Sequence, residues 1–119
     1  MNDILVRYPD ARIDTRPLEN GSTFTTVSYR DDDPALIVIA SPEHPDVQIV
    51  CAEYTFDGIA RSDVAHFVAS MFERTARLTI SRRPWRFAEL HVPVGGRTFT
   101  ASRRYKDDLE PWESALVRG

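Results

Sequence analysis

Cysteine, glycine and long apolar runs are scarce in this sequence, and each shortage removes a class of function. A single cysteine, Cys51, occurs in 119 residues. No disulfide can therefore close within the chain, and no set of thiolates can hold a metal there. A reducing, cytoplasmic setting is expected. Glycine occurs five times, and the only adjacent pair is Gly95-Gly96. Neither a glycine-rich strand-to-helix turn nor a P-loop lysine is present, so the backbone cradles that hold nucleotide phosphates at a helix N-terminus are missing. The longest uninterrupted apolar run, Ala35 to Ala40, is far below the roughly 18 residues of a membrane-spanning helix. Met1 to Arg7 shows no basic leader with an apolar stretch and a small-residue cleavage site, so neither a signal peptide nor a membrane partner is expected.

Catalytic and metal-binding patterns are equally thin. No Gly-x-Ser-x-Gly elbow occurs, and Cys51 stands among Ile49, Val50 and Ala52, where a cysteine behaves as a small buried hydrophobe. His44, His66 and His91 fall in a turn, on the polar side of a helix and on a strand, without the spacing of a ligand set. Glu43-His44-Pro45-Asp46 reads as an exposed turn. Asp31-Asp32-Asp33 lacks the alternating ligands, central glycine and distal glutamate of a calcium loop. No cofactor and no metal site is expected.

What is present is an ordinary globular composition, 42% apolar and 28% charged, in a chain long enough for one core. No repeat, low-complexity tract or flexible linker divides it, so residues 1–119 are expected to form a single α+β domain. Charge is unevenly distributed. Residues 1–60 carry four arginines against eleven acids, and residues 61–119 carry eleven basic residues against seven acids. From Arg74 to Lys106 there are nine basic residues and one acid, Glu89.

Side-chain periodicity predicts strands over 3–8, 11–16, 22–30, 35–40 and 47–56, separated by turn chemistry such as Asn20-Gly21 and Ser41-Pro42. Asp57-Gly58 is expected to end this meander. A helix follows Ser62 as N-cap, with Val64, Phe67, Val68, Met71 and Phe72 on one stripe and an end between 76 and 82. Val94-Gly95-Gly96-Arg97 predicts a tight hairpin in which Val92 faces Phe99, Leu90 faces Ala101 and Ala88 faces Arg103. Pro93 marks an edge there. Leu109, Trp112 and Leu116, with Pro111 near the start, predict a short C-terminal helix. The order implies an α+β fold: an antiparallel sheet built of a meander plus a C-terminal hairpin, with one long helix packed on one face and a short C-terminal helix.

A sheet covered on one face alternates apolar and polar residues, and 35–40 does not. Leu36, Ile37, Val38 and Ile39 would then need cover on both faces, and a second copy or another protein is the expected cover. The leading expectation is a non-enzymatic protein-binding module of adaptor, chaperone or immunity type that self-associates as a homo-oligomer. The acidic turns Asp31, Asp32, Asp33 and Glu43 to Asp46, or the arginine segment, would face the partner. An alternative is nucleic-acid binding through Arg82, Arg83, Arg86, Arg103, Arg104 and Lys106, because Trp85, Phe87, Phe99 and Tyr105 lie among them and arginine with aromatics grips phosphates and stacks bases. A second alternative is a small ligand-binding protein or acid/base enzyme using Glu89 and His91, two residues apart on the polar hairpin face.

Overall fold

Two antiparallel sheets and three short helices share one cluster of buried side chains. The computed structural model describes residues 2–82, 84–105 and 108–117. The chain opens with helix α1 (Asn2–Arg7), where a strand was expected. Ile4 and Tyr8 lie four apart and are both buried, so helical spacing prevails over alternation. The Tyr8 ring stands edge-on to Tyr29 and Phe72, each at 5.2 Å, which fixes that face against the core.

Strands β1 (Arg12–Pro17), β2 (Thr23–Ser28), β3 (Leu36–Ala40), β4 (Asp46–Cys51) and β5 (Tyr54–Ala60) then form a meander in sequence order. Its register sorts the residues into two faces. Val27, Leu36, Cys51 and Tyr54 align across four strands, as do Thr25, Val38, Ile49 and Phe56, and all eight are buried. The alternate rows, Thr26–Ile37–Val50–Thr55 and Phe24–Ile39–Gln48, point to the other side. Burial along β3 therefore does alternate. Leu36 and Val38 are 0% and 6% exposed in the chain's own core, while Ile37 and Ile39 are only half-buried. The expectation that all four need an outside cover is corrected to the two outward residues.

The segment 47–56 is not one strand. It turns at Ala52-Glu53, with Ala52 at a φ of 53°, a conformation that carries no sequence flag in the absence of glycine. Asp57-Gly58 does not end the meander either. Gly58, at a φ of 69°, forms a bulge opposite Gln48, whose amide donates to Asp57 at 2.7 Å. The extra residue lets Phe56 and Ile59, three apart, both face inward.

A 3-10 turn (Arg61–Asp63) leads into α2 (Val64–Phe72), and no side chain caps this start, so Ser62 is not the N-cap. The helix is shorter than expected. Thr75 N–H donates to the Ser70 carbonyl at 3.0 Å and Arg74 N–H to that of Met71 at 3.2 Å, with Arg74 at a φ of 57°. This is a Schellman stop with arginine in the place usually taken by glycine. It frees β6 (Arg77–Ser81) to join β7 (Phe87–Val94) and β8 (Arg97–Arg104) in a second sheet of order β6-β7-β8. The hairpin register is the expected one at every named pair. β7 is central, yet the β6 ladder reaches only Arg77 opposite His91, so Pro93 lies beyond it. The Pro93 carbonyl accepts a hydrogen bond from the Ser70 hydroxyl of α2. Helix α3 (Pro111–Leu116) closes the fold with Pro111 at its first turn and a Glu110/Glu113 capping box. Between the layers, Phe67 of α2 meets Phe56 at 5.0 Å and Phe99 at 6.3 Å. Among the described residues no helix is long and apolar enough to cross a membrane.

Candidate functional site

The arginine segment divides into two environments because neighbouring residues of a strand point to opposite faces. Arg104 lies opposite Phe87 at the end of the β7–β8 ladder, and Tyr105 N–H continues the contact by donating to the Arg86 carbonyl at 3.0 Å. This draws the end of β8 against the β6–β7 connection. Arg82, Pro84, Trp85, Arg86, Arg104 and Tyr105 line a surface concavity of about 650 Å³. Within it, the Arg104 guanidinium sits 4.8 Å from the centre of the Trp85 ring and that of Arg86 sits 5.3 Å from the Tyr105 ring. Trp85 is 55% exposed. No carboxylate is among the described residues that line this space. Arg83 and Lys106, the other two basic candidates on this stretch, lie outside the described residues.

Arg103 faces the opposite way, toward the core, as its pairing with Ala88 requires. Its Nε donates to Glu113 Oε2 at 2.8 Å and its Nη2 to Oε1 at 2.5 Å, a bidentate pair, while Glu53 approaches its Nη1 at 3.0 Å. The Tyr54 hydroxyl also donates to Glu113 Oε2, at 2.5 Å, and the Glu110 N–H donates to Oε1 at 2.9 Å. Glu113 is completely buried. Burial alone would raise its pKa, but the bonds from Arg103, Tyr54 and the Glu110 backbone outweigh it and hold the carboxyl below its ordinary value. The Tyr54 hydroxyl is pushed up, first by burial and then by its bond to Glu113. The hydrogen bond to Glu113 likewise raises Arg103. With every group saturated, the cluster anchors α3 to both sheets rather than offering a proton to a substrate. The Glu-Pro-Trp-Glu spacing of its capping box is readable in the sequence, whereas the partnership with Arg103 is not. Beside it, sharing Arg104 and Tyr105 with the basic concavity, a hollow of about 610 Å³ is lined by Asp32, Asp33, Glu53, Asp108, Glu110 and Glu113 together with Arg103.

The expected partner-facing residues separate in the same manner. Asp33, its side chain 10% exposed, is held between Arg74 at 3.0 Å and Arg30 at 3.4 Å and staples the β2–β3 connection to the end of α2. Arg30 also donates to the Phe72 carbonyl at 2.7 Å. Asp31 is exposed, 3.6 Å from Arg12, and Asp32 lines the acidic hollow. Leu36 and Val38 are core. Ile37 and Ile39 join Phe24 and Val50 on the outward face of the meander, and none of these four packs on the buried cluster.

No family model, curated protein or solved structure matches this chain. Its chemistry must be read from its own residues. Glu89 and His91 lie on the outward face of β7, whose inward residues are Ala88, Leu90 and Val92. The His91 ring bridges the hydroxyls of Thr79 at 2.9 Å and Thr100 at 3.2 Å across the three strands. Both ring nitrogens are thereby used in strand-to-strand contacts, which does not favour an acid/base role. Among the described residues no three His, Cys, Asp or Glu side chains gather as a metal site would require.

Proposed function

We propose that this chain is a non-enzymatic, protein-binding module of the cytoplasm that self-associates through the outward face of its five-stranded sheet. In this reading α2 and the second sheet cover one face of the meander and leave the other to a second copy. The observation that carries it is the patch of two neighbouring cross-strand pairs, Phe24–Ile39 and Ile37–Val50, apolar and half-buried on a face where solvation favours polar residues. A two-fold axis parallel to the strands lays β1 of one copy over β5 of the other, with the apolar residues of the central strands facing one another.

The size of the face sets the strength. Five strands about 4.8 Å apart and about six residues long, at about 3.3 Å per residue, present roughly 450 Å² per copy. That is near half of the roughly 800 Å² per partner found in stable interfaces, so the dimer is weak and forms at high micromolar concentration. Sedimentation velocity over a concentration series tests it. The wild type should pass from monomer to dimer, and Ile37→Lys should remain monomeric with an unchanged thermal midpoint. Val50→Thr, which keeps the branched shape, should weaken the dimer without endangering the fold. A wild type that stays monomeric throughout, or an Ile37→Lys protein that dimerises equally well, overturns the proposal.

A further inference from the structure

We propose that the concavity around Trp85 binds nucleotide units, holding a phosphate among Arg82, Arg86 and Arg104 and a base against the exposed indole. Arg82, Arg86 and Arg104 line one space, with no carboxylate among the described lining residues. A multivalent oxyanion suits such a lining, because its geometry matches the arginine fork. The space also holds what a bare anion does not need. Trp85 is more than half exposed and Tyr105 forms part of the wall, so a flat ring gains stacking area beside the charge. A volume of about 650 Å³ accommodates a ligand of nucleotide size. Phosphate joined to a flat ring is the shared chemistry of a free nucleotide and of single-stranded nucleic acid. In the hollow that adjoins the site across Arg104 and Tyr105, Asp32, Asp108 and Glu110 repel a polyanion, which favours a short footprint on the Trp85 side.

The protein contains two tryptophans, so a Trp112→Phe background leaves Trp85 as the only indole reporter. At low salt, oligothymidylate, adenosine monophosphate, a DNA duplex and inorganic polyphosphate are titrated separately. Quenching of Trp85 by the oligonucleotide, with little response to the mononucleotide, supports the proposal with a strand as the ligand. Equal affinity for the mononucleotide supports it with a free nucleotide as the ligand. Trp85→Ala, read by fluorescence anisotropy of a labelled oligonucleotide, should weaken binding about tenfold or more. With three arginine contacts the slope of log affinity against log salt should be about −2, and Arg104→Gln should reduce its magnitude by about 0.7. Arg97→Gln removes the same charge at the far end of β8 and should leave affinity within about twofold of wild type. Absence of any response at low salt overturns the proposal. So does polyphosphate or duplex binding as tightly as the oligonucleotide with Trp85→Ala without effect, because that outcome describes a charged surface alone.

Discussion

Glu113 carries a full charge in complete burial, which a carboxylate sustains only when its oxygens are paired. Four donors from Arg103, Tyr54 and Glu110 meet that need. The cost of removing it falls on what remains. Glu113→Ala strands Arg103 and the Tyr54 hydroxyl beside Glu53 alone, and destabilisation by about 3 kcal/mol is expected in urea unfolding. The pH dependence has a defined sign. An unfolded glutamate titrates near 4, and the folded pKa of Glu113 is lower, so the stability it contributes is complete above about pH 5 and is lost as the pH falls through the folded value. The stability advantage of wild type over Glu113→Gln should therefore be constant at neutral pH and shrink below about pH 4. An advantage that grows on acidification would contradict this account of the cluster.

At the level of elements, the conformations that stayed hidden in the sequence are those where a non-glycine residue takes a left-handed backbone. The β7–β8 hairpin was legible to the residue because Gly95-Gly96 announces its turn, and the alternation around it fixes the register. The β4–β5 hairpin turns on Ala52 and α2 stops at Arg74, both at positive φ without glycine, so periodicity alone extends one strand and one helix too far. Relief of the first is measurable. Ala52→Gly removes the Cβ penalty at a φ of 53° and should raise stability by about 0.5–1 kcal/mol, less the entropy glycine adds to the unfolded chain. A destabilised Ala52→Gly protein would mean that the Ala52 methyl group contributes packing that outweighs its backbone cost. The site was legible in composition and not in arrangement. Nine basic residues in 33 positions were visible, and pairing Arg103 with Ala88 already put that side chain on the apolar face. Its acceptor comes from α3, ten residues on, and no local pattern links the two.

For the whole molecule, the question is whether two sheets make one cooperative unit. The opposite charges of the two halves are partly neutralised within the fold, since Arg7–Glu73, Arg74–Asp33 and Arg103–Glu53 each join a residue before position 60 to one after it. Each of these pairs keeps at least one exposed partner and contributes little, roughly 0–1 kcal/mol, so union of the sheets rests on the shared apolar core in which Phe67 touches both. Cys51 reports on that core from the five-stranded sheet. It is fully buried, and burial first, with the nearby Glu113 and Asp33 charges adding to it, pushes its thiol pKa up to about 12. Native protein should thus be inert to a thiol reagent at pH 8, and labelling should begin only where the fold opens. Trp112, edge-on to Tyr54 at 5.8 Å, reports on α3 and its anchorage. If the core is continuous, the urea midpoints read by Cys51 labelling and by Trp112 fluorescence in a Trp85→Phe background coincide. Labelling of Cys51 at urea concentrations where Trp112 is still native would instead show the five-stranded sheet opening by itself, and would divide the chain into two units of separate stability.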